Sequence, residues 1–255
     1  MDMDKEYFVE RHSVVRQIWG KRDTILFIFA GASAEFALSK AVGWLYFTGR
    51  LPSDPMGRLF STVAYAKTIV FAEKQTALHT IDSIATIHAS VEAKRSATIP
   101  EWAYRNMLFM LIDYSIRSFE LLERRLNNVE KEEVLQVFNR LGIRMGISGL
   151  PSTYEQWEKM RHADLAQSLQ QSNYTNDLFS QYKKQLGKVR YRILLEAQAL
   201  VVPRKVSELL GFRKVSLLYP LLVLYKISKI MKVDWFIRDL ILPSKYKKEI
   251  KDLDS

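Results

Sequence analysis

Helix-start signals recur along this chain at short intervals, and strand signals do not. Asp54-Pro55 sets an N-cap and a first-turn proline ahead of MGRLFSTVAYAKTIVF. That arrangement satisfies the first free N–H groups of a helix and presets its backbone angle. Thr98 to Glu101 (TIPE) and Ser152 to Glu155 (STYE) have capping-box spacing, each ahead of a long stretch with apolar residues every three or four positions. Gly146 and Gly187 follow such stretches, where a left-handed residue would close a helix. The chain therefore reads as all-α. The expected helices cover 5–19, 24–47, 55–70, 73–95, 99–126, 129–145, 153–170, 175–200, 204–232 with breaks near Gly211 and Pro220, and 234–242. Residues 107–119 are apolar almost all round, which predicts a central helix packed on every side. There is no internal repeat, and GISGLPS (146–152) is too short a break to divide the chain. One globular multi-helix domain over 1–255 is expected, with its core at about 20–200 and basic amphipathic helices at 201–255.

With 255 residues, 48% of them hydrophobic, such a domain has enough core to enclose a small cofactor. It has no cysteine, so disulfides, iron–sulfur clusters and thiolate-bound metals are excluded. Any metal must rest on His, Asp or Glu. The opening MDMDKEYFVERHSVV is acidic where an export signal would be basic, so a cytoplasmic location is expected. The apolar stretches 24–30 and 107–116 fall short of the roughly 20 residues a membrane span needs.

The net charge is +10. From Leu200 to Ser255 there are 12 Lys/Arg against 6 Asp/Glu, a surplus of +6. A basic balance suits anionic lipid or nucleic acid, but no nucleic-acid motif or aromatic platform is present, so no nucleic-acid partner is expected. The segment SLLYPLLVLYKISKIMKVDWFIRDLILPSKYKK mixes apolar faces with Lys226, Lys229, Lys232, Lys245, Lys247 and Lys248. It reads either as basic amphipathic helices resting on an anionic membrane surface or as a closing helix with a solvated lysine face.

The four histidines are His12, His79, His88 and His162. His79 and His88 are nine residues apart, about 180° around a helix, so they cannot close on one metal from one straight helix. No H-x-x-x-H or E-x-x-H pair seeds a multi-histidine site. His88 lies in DSIATIHASV among Ile84, Ile87 and Val91. Spacing alone leaves it as either a core histidine bonded to a carbonyl or the single axial ligand that a haem requires. Arg58 and Thr62 are four residues apart on one helix face. Arg58 offers a forked donor suited to a carboxylate and Thr62 a hydroxyl, although from the residues alone a surface ion pair and a backbone-bonded threonine are the favoured explanation.

The ordered set GRLPSDPMGRLFST (49–62), IHASV (87–91), the central helix, and EKEEVLQVFNRLGIRMGI (130–147) resembles the MpaB/rubber oxygenase family over roughly residues 20–190. The resemblance implies a globin-like all-helical fold around haem b, with His88 as the axial iron ligand and Arg58 and Thr62 beside the haem. It further implies a haem-dependent oxygenase that uses dioxygen to cleave or oxidise a carbon–carbon double bond of an apolar prenyl or lipid-like substrate. Such an enzyme could work peripherally on the inner membrane surface. Two positions depart from the family pattern. Leu38-Ser39 replaces a His-Pro pair, and Ser61 stands where rubber-cleaving members have a lysine. Polyisoprene therefore does not follow from the resemblance. A haem-free helical protein that binds lipid or a partner is the alternative. Met107, Phe109, Met110, Ile112, Ser115 and Phe119 on the central helix are candidates for the lining of a substrate pocket, or plain core.

Overall fold

Ser13 opens the first helix by accepting a hydrogen bond from Val15 N at 3.1 Å, and ten further helices follow among the described residues. The structure is a computed structural model and describes residues 5–47 and 55–230. The helices are α1 (Val14–Trp19), α2 (Arg22–Leu38), α3 (Val42–Phe47), α4 (Pro55–Phe71), α5 (Lys74–Arg95), α6 (Glu101–Leu122), α7 (Asn128–Arg144), α8 (Tyr154–Gln167), α9 (Asn173–Val201), α10 (Arg204–Leu210) and α11 (Tyr219–Ile230). There are no strands among the described residues, only isolated bridges such as Ser39 with Leu169. No helix of the described residues is long and apolar enough to cross a membrane.

Two helices, not one, form the centre. The expected central segment is α6, which buries Leu108, Phe109, Met110, Ile112, Tyr114, Ile116 and Phe119. Against it packs α2, whose TILFIFAGASAEFAL sequence is buried along most of its circumference. They approach so closely that a Cβ on Gly31 would meet the Tyr114 ring at 2.3 Å and Val201 at 3.0 Å. Only glycine leaves room for that crossing. Trp19 fills the end of the interface, donating from Nε1 to Ser115 Oγ at 3.2 Å and meeting Phe29 edge-on.

Several expectations about helix ends are corrected. The stretch 24–47 is two helices: Ser39 turns extended (ψ 134°), and the chain pairs there with 168–170 through Lys40 N to Ser168 O (3.0 Å) and Gln170 N to Leu38 O (2.8 Å). TIPE is not a capping box. Pro100 precedes the helix, and the Glu101 carboxylate binds Ser148 N and Oγ instead. In STYE the cap sits one residue later, with Thr153 Oγ1 accepting from Gln156 N. Complete capping boxes occur at Asn127/Glu130 and Ser172/Thr175. Gly146 (φ 77°) closes α7 as expected, whereas Gly187 (φ 73°, ψ 173°) bends α9 internally. Gly211 ends α10 in the left-handed region, while Pro220 lies in the first turn of α11, where its missing N–H costs nothing. The proposed N-cap Asp54, the helix at 234–242 and the lysines at 232, 245, 247 and 248 lie outside the described residues.

Candidate functional site

α5 carries His88, and its two halves differ. Ala77 and Ile81 in the first half are buried, whereas none of residues 82–95 is. That second half nevertheless holds Ile84, Ile87, His88 and Val91, with Ile87 45% exposed. A helix normally turns such a strip inward; here the described side chains do not bury it. His88 itself is half-buried, its ring 5.2 Å from that of Tyr104 on α6 and tilted 32° to it. The Tyr104 hydroxyl donates to Glu92 Oε1 (3.2 Å), one turn beyond His88 on α5, and the same oxygen accepts from Ile99 N (2.8 Å). Burial, reinforced by the Glu92 charge, pushes the Tyr104 phenol up to about 12. The phenol stays protonated and holds that bond across the physiological range.

Thr62 lies exposed on α4, about three turns before the Ala72-Glu73 connection to α5, and His88 about four turns after it. Arg58 is in the first turn of α4, and its side chain is outside the described residues. His79, His12 and His162 are exposed and well separated in the chain. Among the described residues no group of three His, Asp or Glu side chains could hold a metal ion. A haem, in contrast, brings four nitrogens and asks for one axial ligand. One imidazole on a helix half that the described side chains do not fully bury fits that single-ligand requirement.

The expected pocket lining on α6 is mostly core. Phe109, Ile112, Ser115 and Phe119 are buried, Phe109 against Trp157 and Ser115 against Trp19. Met107 and Met110 line a small cavity of about 20 Å³, enough for one water, together with Glu35, Asn106, Arg161 and Asp164.

Beside that cavity is a buried charge network that the histidine-centred reading of the sequence missed. Arg161 on α8 donates in parallel to the two Glu35 oxygens (2.7 and 2.6 Å) and through Nε to Asp113 Oδ2 (2.9 Å). Tyr114 donates to Glu35 at 2.9 Å, and Arg117 to the other Asp113 oxygen at 2.5 Å. Burial opposes the charge on Arg161, but Glu35 and Asp113 outweigh it and hold the guanidinium above its ordinary pKa. Burial, aided by the Glu35 charge, raises the Tyr114 phenol well above its usual value. Asp164 at the cavity is raised by partial burial. The available signal was a lone carboxylate inside each of two apolar helices, Glu35 in AGASAEFAL and Asp113 in MLFMLIDYSI. Such a residue is retained in a core only with a partner.

Comparison with known proteins adds to this geometry. No curated protein and no solved structure matches the chain. A model of one family does, over residues 16–224, and its description is ER-bound oxygenase mpaB/B'/Rubber oxygenase, catalytic domain. The match runs from α1 into α11 and takes in Arg58, Thr62, His88 and the buried network. The chain belongs to the family of the ER-bound oxygenase mpaB/B' and rubber oxygenase catalytic domains.

Proposed function

We propose that this oxygenase-family chain is a haem b enzyme in which His88 would hold the iron, Arg58 would pair with a haem carboxylate and Thr62 would offer a hydroxyl. The observation that carries the reading is the second half of α5: a histidine among apolar side chains that the described residues do not bury. A flat apolar macrocycle would complete that face. When bound, the haem supplies the redox chemistry by which dioxygen cleaves or oxidises a carbon–carbon double bond of an apolar, prenyl or lipid-like substrate. The chain's own residues bind and orient. Tyr104 stacks on the His88 ring, and Glu92 fixes Tyr104 through its hydroxyl, so both are positioning residues for the imidazole. In the same reading, the lysines from Lys226 to Lys248 rest on an anionic membrane surface, where an apolar substrate resides.

The test is an ultraviolet–visible spectrum of the full chain expressed with haem supply, before and after dithionite. A Soret band that shifts on reduction, and that His88→Ala abolishes or displaces, is the expected result. A folded, colourless protein overturns the haem reading and leaves a haem-free helical binder of lipid or a partner.

A further inference from the structure

A cavity of about 460 Å³ opens where the second half of α9 meets the loop after α10. Gly187 creates it. The bend at its positive φ lets Lys183, before the bend, share one hollow with Lys188 and Arg192, after it. Arg213 closes the other side, while Tyr191 and Phe212 contribute apolar surface. Among the described residues no carboxylate lies within ion-pair distance of these four cations. Glu196, the acid in the cavity wall, has Oε2 engaged elsewhere: it accepts from Leu217 N (2.6 Å) and Ser216 Oγ (2.9 Å). Four like charges gathered round a concavity make a field that an anion relieves.

Those two hydrogen bonds also hold Ser216 and Leu217, just before α11, next to the cavity. α11 packs inward through Leu222 and Tyr225, which meet Leu122 and Phe27, and Tyr225 donates to Asp23 on α2. Its outward side should then be polar. Instead Tyr219, Leu221 and Leu224 are exposed on it, as are Val215 (69%) and Leu217 (58%) in the turn just before it. Contiguous apolar residues beside cations that have no carboxylate partner among the described residues match what one surface offers, an anionic bilayer with phosphate above hydrocarbon.

We propose that the cavity of Lys183, Lys188, Arg192 and Arg213 takes the phosphate headgroup of an anionic phospholipid while Leu217, Tyr219, Leu221 and Leu224 enter the membrane interface. This rests on the membrane-surface reading above but moves the contact from the lysines beyond residue 225 to a built site at 183–224.

Vesicle sedimentation of the full chain tests it, with phosphatidylglycerol/phosphatidylcholine vesicles against phosphatidylcholine alone. Wild type should bind only the anionic vesicles. Lys188→Gln with Arg192→Gln should weaken that binding about 30-fold at unchanged circular dichroism and Tm, and Leu217→Ser with Leu221→Ser by more than about tenfold. Both pairs are exposed, so folding should survive. If both double variants bind like wild type while Lys245, Lys247 and Lys248 to Gln abolish binding, the headgroup site is overturned and the membrane reading stands. If wild type ignores anionic vesicles, both fall. If inorganic phosphate protects Lys188 from acetylation but vesicles do not, the site takes free phosphate and the lipid proposal is overturned.

Discussion

The α2–α6 pair and the α4–α5 pair are built from the same helical periodicity and do opposite things with it. Where α2 crosses α6, the helices are so close that Gly31 cannot carry a Cβ, and even the charges are enclosed: Glu35, Asp113 and Arg161 are buried and satisfy one another. On α5 nothing after Ile81 is buried, although Ile84, Ile87 and Val91 would suit a core. The first pair is complete as a protein interface. In the second, among the described side chains, Ile84 packs against the core without being fully buried, Val91 is half-buried and Ile87 is exposed. Closed packing supplies the rigidity on which a site can be held, and the proposed function sets the haem against the less buried pair.

The largest effect should come from breaking the closed pair. Glu35→Ala removes the bidentate partner of Arg161 and one acceptor of Tyr114, leaving a buried guanidinium with Asp113 alone. Removing one member of a buried ion pair costs about 3–5 kcal/mol, chiefly because the surviving charge is stranded. Urea unfolding followed by circular dichroism should show a loss of that order. A loss below about 1 kcal/mol would mean that water reaches the network and that the α2–α6 crossing is not closed.

How much of this comparison was legible in sequence follows from what each region depends on. Helix content, the positive φ at Gly146 and the apolar envelope of 107–119 are local properties, and they hold in the structure. The break at Ser39 is not local, because it is stabilised by pairing with residues 168–170, more than a hundred positions away. Nor is the TIPE error: Glu101 has a better use at Ser148, which a four-residue motif cannot reveal. For the site, periodicity put His88 among apolar neighbours but could not say whether those neighbours are covered. Exposure of Ile87 is a tertiary fact, as is the Tyr104 ring against the imidazole.

A smaller effect, with a distinct pH signature, is expected where α7 begins at the edge of the closed region. Asn127 Oδ1 accepts from Glu130 N and Glu130 accepts from Asn127 N, while Arg124 grips the same carboxylate. The Arg124 hydrogen bonds, then the Asn127 N–H, pull the Glu130 pKa down to about 2. In the unfolded chain it titrates near 4.3. A folded-state pKa below the unfolded one means stability that is fully present above the unfolded value and lost as pH falls toward 2. Glu130→Gln should therefore be less stable than wild type at neutral pH, with the difference shrinking between about pH 4 and pH 2. Asn127→Ala, which removes the cap, should cost about 1 kcal/mol. Parallel pH–denaturation series check both; a Glu130→Gln deficit that persists at pH 2 would show that the carboxylate acts through packing and not through charge.

The smallest stability effect belongs to the open pair, and it sharpens the comparison most. Ile87→Ser takes an apolar side chain off a surface that the described residues leave 45% exposed. Without haem, the variant should match wild-type stability within about 0.5 kcal/mol, as exposed substitutions do. With haem, the wild-type chain should gain stability by mass action, since a ligand that binds only the folded state raises Tm. The variant should gain less, because the face that receives the ligand is now polar. The readout is the difference between the two Tm increments, not either Tm alone, so a general loss of folding cannot imitate it. Equal increments would show that the exposed strip of α5 is ordinary surface, and that closed and open helix pairs here differ only in depth.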